Sequence, residues 1–473
     1  MNKLPGLEEE EGCEGSGRNT RIQRDPDQFN FSFFYFFHFF TSFLVFQPSG
    51  SQCPSPGIRG STLHLHVPGV TQLIRIIAAL SILLVIPASG QQPAPVTLGI
   101  TVLLRDSSHL IRGKRVGLIT NHTGRDEKGR SSIDLLHKAP GVKLTALFAP
   151  EHGIRGSAEG GAIIPSTVDK ATGVPIHSLY GKTRVPTRSM LDEVDVLVYD
   201  IQDVGARMYT YVWTMTLAAE AAKKAGKTFI VTDRPNPIRA DIMEGALIEK
   251  RFRSFTGLHE VPVRYGLTPA ELARYLVGTG EIDADVRVIP MAGYKPSMWW
   301  ADTGMDWVRP SPNIRDPGAA LLYPGISFFE GTNISEGRGT DEPFRLVGAR
   351  WMRDAAEIAR AMNAKRLGGV RFEAVTRRIA AGQKQSGAAV PMVRIVITDR
   401  DRLRSTEIGA YLLREIYSRH PTAVRFQPRG LEELSGSRSL RAAVQTGGID
   451  DLVSDWRAAA NRFEKRAGAW RLY

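Results

Sequence analysis

Residues 144–153 read Leu144-Thr-Ala-Leu-Phe-Ala-Pro-Glu-His-Gly153, an apolar run that stops abruptly on an acid and an imidazole. The first six residues suit a buried strand. Pro150 has no N–H to give a ladder, so the strand must end there. In open α/β sheets ligands bind at the carboxyl ends of the strands. Glu151 and His152 at such an edge form a candidate acid/base pair. The competing reading is a glutamate that caps the next turn and a histidine packed against it.

Further apolar runs extend the pattern on both sides. Residues 115–120, 194–200 and 228–232 read as strands, and 131–138 and 208–225 as helices, the second closed by Gly226. Strands alternating with helices predict an α/β fold, a Rossmann-like and mostly parallel sheet over 97–255. No Gly-x-Gly-x-x-Gly follows the first strand and no Walker-type loop is present, so nothing predicts a nucleotide. Beyond 255 the texture changes to a second, smaller α+β domain over 256–473 that completes a cleft. Thr268-Pro269-Ala270-Glu271 opens a helix over 268–277, with proline at the first turn and the acid in the capping-box place. Helices are expected at 353–363, 405–418 and 450–466, strands at 369–375 and 392–398, and loops with short strands over 290–350.

Residues 1–90 look unlike the rest. An apolar run at 74–86, with Arg75 at its start, precedes Pro87-Ala88-Ser89-Gly90, the parts of a secretory signal, and it is too short for a comfortable membrane span. Its distance from Met1 suggests a start codon placed too far upstream. Both cysteines, Cys13 and Cys53, fall in this leader. The remainder therefore has no thiol nucleophile, thiolate metal site or lipid-anchor cysteine. An exported, periplasmic protein without a stable membrane anchor is the expectation. The formal net charge of +12 favours an acidic partner. The basic residues are scattered, which disfavours nucleic acid and fits an anionic glycan.

Acids cluster where strands end: Glu151, then Asp200 and Asp203, then Asp233. A further group lies in Phe329-Glu-Gly-Thr-Asn-Ile-Ser-Glu-Gly-Arg-Gly339, where glycines surround Glu330, Glu336 and Arg338. The apolar neighbours Phe328, Phe329 and Ile334 imply partial burial, where lone charges are costly. His122, His152 and Asp200 could ligate a metal, but no His-x-His or His-x-x-x-His spacing supports them. No Gly-x-Ser-x-Gly elbow points to a serine hydrolase. Paired carboxylates explain more of these residues. Among the aromatics, Tyr211 and Trp213 suit a core, while Trp299-Trp300 in a loop is a candidate sugar platform.

Several blocks together resemble the exo-β-N-acetylmuramidases of the NamZ type. They are Gly117-Leu-Ile-Thr-Asn-His-Thr-Gly124, Leu147-Phe-Ala-Pro-Glu-His-Gly-Ile-Arg-Gly156 and Ser178-Leu-Tyr-Gly181, followed by Tyr199-Asp-Ile-Gln-Asp-Val-Gly-Ala-Arg207, Asp233-Arg-Pro-Asn-Pro237, Pro310-Ser-Pro-Asn313 and the 329–339 segment. The resemblance covers nearly all of 97–473. It implies release of N-acetylmuramic acid from the non-reducing ends of peptidoglycan fragments, without metal or nucleotide.

Chemistry then suggests the roles. Glycoside hydrolysis needs a proton donor and help for an oxocarbenium-like centre. Glu151 is the candidate acid, oriented by His152, and the second acid comes from Asp200, Asp203, Glu330 or Glu336. Asn121, His122, Tyr180, Asp233, Asn313 and Asn333 are candidate substrate contacts. The lactyl carboxylate of muramic acid calls for an arginine. Arg338 ranks first, Arg207 close behind, then Arg155 and Arg234. Arg207 could instead pair with Asp203 on a helix face. The alternatives to a glycosidase are a cell-wall-binding module without catalysis and a metal-dependent wall amidase or esterase.

Overall fold

The computed structural model describes residues 95–154 and 166–473. The leader and Arg155 lie outside the described residues. Seven strands form the larger sheet: β1 (Arg115–Thr120), β2 (Lys143–Ala149), β3 (Thr167–Val168), β4 (Pro175–Ser178), β5 (Val196–Asp200), β6 (Thr228–Thr232) and β7 (Val286–Ile289). Their order is β3-β4-β2-β1-β5-β6-β7. All neighbours run parallel except β3 and β4. β5 is buried throughout, and β1, β2 and β6 are buried over most of their length, which is why they read as continuous apolar runs rather than alternating ones. From β1 the chain steps to β2 on one side and later to β5 on the other. This reversal opens a crevice at the carboxyl ends of the strands.

Helix α1 (Ser132–Lys138) starts where the Ser131 hydroxyl accepts the Ile133 N–H. Helix α2 (Tyr211–Lys224) is buried on most of its faces, and the Trp213 indole donates to the Arg207 carbonyl at 2.7 Å. Tyr211 and Trp213 are thus core residues. Helix α3 (Pro269–Gly278) carries the expected capping box, with Thr268 accepting from the Glu271 N–H and Glu271 accepting from the Thr268 N–H.

Three expectations need correction. β7 pairs with β6 and lies past residue 255, so the sheet domain does not end there. With an exposed Arg287 and only one buried residue, β7 lacked the apolar run that revealed β1, β2, β5 and β6, and the short β3 and β4 were likewise not expected. The 290–350 region holds a helix, α4 (Pro317–Ile326), which Asp316 caps by accepting the Ala319 N–H at 2.9 Å. Its glycines and Pro324 hid it. Trp299 and Trp300 are both buried and offer no platform. The Arg239 and Arg400 guanidinium groups lie 5.5 and 5.2 Å from the Trp299 ring centre, and Trp300 meets Trp307 edge-on at 5.1 Å.

The smaller sheet, β8 (Leu346–Gly348), β9 (Val370–Arg378) and β10 (Ala389–Ile397), is antiparallel in the order β8-β10-β9. It packs on helix α5 (Ala355–Ala364), which in turn contacts α6 (Ser405–Arg419), and α7 (Ile449–Ala467) lies against α6. Helices α4 and α6 approach until a Cβ at Gly325 would lie 1.8 Å from the Ser405 carbonyl oxygen, so only glycine fits. The two sheets' surroundings interlock. The buried Arg207 guanidinium donates to the carbonyls of Ala246, Val261 and Leu434, the last 227 residues downstream. Among the described residues no helix is long and apolar enough to cross a membrane.

Candidate active site

A cavity of about 730 Å³ opens beyond the carboxyl ends of β2 and β4. One wall comes from the large sheet. β2 delivers Glu151 just past Pro150, and the backbone turns at once through His152 (φ 67°), a left-handed conformation costly for a non-glycine residue. Tyr180 follows β4, its N–H held by the Ser178 hydroxyl at 3.1 Å. Thr210, just before α2, donates its hydroxyl to Glu151 Oε2 at 2.7 Å. Tyr180 lies near enough to Glu151 for the carboxylate to disfavour ionisation of its phenol. Glu151 therefore sits bonded to the Thr210 hydroxyl and beside the Tyr180 phenol, in a cavity it shares with His152.

A second part of the lining comes from α4 and the chain after it. Glu330 belongs to a 3₁₀ turn (Ser327–Gly331), and Glu336 and Arg338 follow in the glycine-rich loop. Gly337 and Gly339 both have φ near 80°, so the chain doubles back on either side of Arg338 and turns its guanidinium onto the acids. Arg338 pairs with Glu330 at 2.9 Å and with Glu336 at 3.1 Å, and lies 5.0 Å from the Phe344 ring centre. Lys384 completes the group, pairing with Glu336 at 2.6 Å and donating to the Phe329 carbonyl.

Electrostatics differ across the cavity. Burial raises the Glu330 carboxyl above its ordinary range, with Glu336 adding to the rise and Arg338 opposing it. Burial disfavours the Arg338 charge, but Glu330 and Glu336 outweigh it and its pKa rises. Burial and the neighbouring Glu151 push Tyr180 up to about 12. Tyr323, on α4, is buried and raised by desolvation, and it feels both Glu330 and Glu151. Its hydroxyl thus lies within the fields of both acids.

Of the residues singled out in the sequence, the cavity brings together Glu151, His152, Tyr180, Asn313, Glu330, Glu336 and Arg338. The others lie elsewhere. Asp200 is fully buried in a two-pronged ion pair with Arg234 and accepts the hydroxyls of Ser132 and Thr232. Asp203 accepts the Gly205 N–H and the Tyr265 hydroxyl, and burial pushes its pKa up to about 6. Asp233 braces the start of α3 through the Ala270 N–H and Thr268 hydroxyl, and burial raises it to about 7. Arg207 is not on a helix face with Asp203. Its site is a cage of carbonyls whose desolvation lowers its pKa to about 9. Asn121 accepts the Thr123 N–H and hydroxyl, and Asn333 ties the chain to Ala423 and Arg425. His122 contacts the Arg309 carbonyl at 2.7 Å, and burial lowers its pKa. With Asp200 engaged by Arg234, the His122, His152 and Asp200 set does not converge. Among the described residues no group of three or more acids, histidines or cysteines could hold a metal.

The sequence reading missed Thr210, Tyr323, Lys384 and Arg184, all on the cavity wall. Lys384 and Tyr323 carry no local signal, because their partners lie far away in the chain. Thr210 is different: it stands at the start of a helix that follows a strand end, a position from which side chains commonly reach ligands.

Comparisons with known proteins agree with this architecture. Residues 116–318 match the family model described as exo-beta-N-acetylmuramidase NamZ, N-terminal, and 321–473 match its C-terminal counterpart. A Bacillus subtilis protein described as peptidoglycan beta-N-acetylmuramidase NamZ is 40% identical over 392 residues, 82% of this chain and 94% of that protein. Crystal structures of two DUF1343 family proteins from Bacteroides fragilis are also similar. One has a TM-score of 0.75 at 36% identity and the other 0.63 at 28%, each covering 80% of this chain and 99% of theirs.

Proposed function

The chain belongs to the NamZ family of exo-β-N-acetylmuramidases, and from that premise we propose how its cavity acts. The protein is a glycosidase that releases N-acetylmuramic acid from the non-reducing ends of peptidoglycan fragments, in cell-wall turnover. The observation that carries the mechanism is the convergence of Glu151 with Glu330 and Glu336, from distant parts of the chain, on one cavity. Two carboxyl groups on opposite sides of a glycosidic bond are what hydrolysis through an oxocarbenium-like transition state requires.

Glu151 protonates the leaving oxygen, held in place by the Thr210 hydroxyl, flanked by Tyr180 and supported by His152. Glu330 acts as base, nucleophile or orienter of the substrate's acetamido group, while Arg338 and Lys384 keep the acid pair in register. A second assignment exchanges the two roles, and the raised Glu330 carboxyl favours it, because a donor must hold its proton near neutrality. The apolar run at 74–86, with Arg75 at its start and small residues after it, supports export to the periplasm.

Incubation with a chromogenic N-acetyl-β-muraminide and with a muramic-acid-terminated disaccharide, each with and without chelator, tests the function. Release of muramic acid that chelator does not affect is expected. Binding without release would identify a wall-binding module, and loss of activity in chelator a metal enzyme. Glu151→Gln separates the roles. If Glu151 is the proton donor, kcat on the disaccharide falls by at least ~10²-fold. The same variant loses far less on an aryl muraminide, whose leaving group needs little protonation. Comparable losses on both substrates would transfer the donor role to Glu330.

A further inference from the structure

Three cations of the described residues reach the cavity: Arg184, Arg338 and Lys384. Two are already matched by acids. Arg338 pairs with Glu330 and Glu336, and Lys384 pairs with Glu336 while donating to the carbonyls of Phe329 and Thr332. A further carboxylate at Arg338 would meet two acids at close range. Arg184 differs. Among the described residues no carboxylate lies within ion-pair distance of it.

Arg184 is nonetheless held in place. Its guanidinium lies 4.2 Å from the Phe255 ring centre and 5.9 Å from that of Tyr180. The two rings are themselves 6.2 Å apart, so the cation caps an aromatic pair at the cavity rim. Stacking on rings occupies the face of the guanidinium and leaves its N–H edge for a planar acceptor. Tyr180 and Glu151 line the same cavity as Arg184, and the Glu151 charge is felt at the Tyr180 phenol, which puts this edge near the candidate proton donor.

We propose that Arg184 binds the lactyl carboxylate of the muramic acid residue, and that Arg338 serves to position the acids. This rests on the muramidase reading above. Muramic acid differs from glucosamine by the lactyl ether, so an enzyme selective for it needs a cation not neutralised by its own acids. A fork of two N–H groups supplies both charge and geometry for a carboxylate. The aromatic pair limits the side chain's freedom before substrate arrives, which reduces the entropy lost on binding.

The test compares wild type, Arg184→Ala and Arg184→Lys on an aryl N-acetyl-β-muraminide and on its lactyl carboxamide, which has the same shape without the charge. Calorimetric titration with free N-acetylmuramic acid accompanies the kinetics. Arg184→Ala should raise KM for the carboxylate substrate about 10- to 100-fold, as for loss of a hydrogen-bonded charge, with kcat little changed. Its KM for the carboxamide should stay at the wild-type value, and Arg184→Lys should recover part of the carboxylate affinity. Unchanged KM and Kd for the carboxylate ligands in Arg184→Ala would overturn the proposal. So would equal weakening for carboxylate and carboxamide, which would make Arg184 a shaper of the rim. If the wild type binds N-acetylmuramic acid without hydrolysing either muraminide, the glycosidase reading fails and the affinities still decide Arg184. A wild type that does not bind it at all overturns the Arg184 proposal.

Discussion

Replacing Arg338 by methionine removes the cation that holds Glu330 and Glu336 together, and the size of the effect follows from the geometry. At 2.9 Å the attraction between Arg338 and Glu330 is about 6 kcal/mol for an effective dielectric of about 20. Both side chains are 29% exposed, so water screens part of that, and Lys384 remains near Glu336. The net loss expected at Glu330 is a rise of roughly 1–3 pKa units, or about 1.4–4 kcal/mol. The direction is fixed: a carboxylate that loses a neighbouring cation holds its proton to higher pH. The assay is the dependence of kcat/KM on pH for a muraminide. If Glu330 acts ionised, the acid limb moves up and activity near neutrality drops. If Glu330 is the proton donor, the alkaline limb moves up instead. The limb that shifts therefore names the role. Two limbs left in place, in a variant whose melting shows it folded, would refute the claim that Arg338 governs an acid of the mechanism.

Two further predictions concern stability. Arg234→Ala strands the fully buried Asp200 with only two hydroxyl donors, and should cost about 3–5 kcal/mol in urea unfolding. A loss under about 1 kcal/mol would show that Asp200 is not held by that pair. The second concerns Asp233, whose pKa rises from 3.8 in the unfolded reference to about 7 in the fold. The folded state thus holds this proton more tightly, so its contribution is fully present below about pH 4 and is lost as the pH climbs to about 7. Asp233→Asn keeps an acceptor for the Ala270 N–H and removes the titration. Its stability should fall less between about pH 4 and 7 than the wild type's, and parallel curves would dismiss the idea.

The parallel sheet was legible because its central strands are buried on both faces, and burial writes itself as unbroken apolar runs. β7 and α4 were not, since one is a short edge strand with an exposed arginine and the other is built from residues that usually break helices. The strand-end acids show a second kind of limit. Glu151, Asp200 and Asp233 occupy equivalent places in the pattern, yet only Glu151 faces the cavity. What separates them is distant: Arg234 is 34 residues from Asp200, and the Thr268 hydroxyl is 35 from Asp233. Local spacing carries no trace of such partners. Arg207 shows the same thing in reverse. Its i+4 distance from Asp203 suggested a pair, but the intervening chain is an irregular loop and the guanidinium points to carbonyls instead. The 329–339 segment was readable for a physical reason, because glycines beside charges and flanking phenylalanines mark a tight turn forced into partial burial.

The carbonyl cage around Arg207 also bears on how such proteins can diverge. Family similarity divides the chain between residues 318 and 321, a seam that falls inside α4. Arg207, from the first part, reaches the Leu434 carbonyl in the second, and among the described residues no acid pairs with it there. A donor of fixed geometry that depends on main-chain oxygens from both parts tolerates little change in the path of either. Recombination that joined the first part of one relative to the second part of another would strand a buried guanidinium whenever the 434 carbonyl shifted. The guanidinium thus couples the loops around residues 246, 261 and 434 physically, even though those loops are remote in the gene.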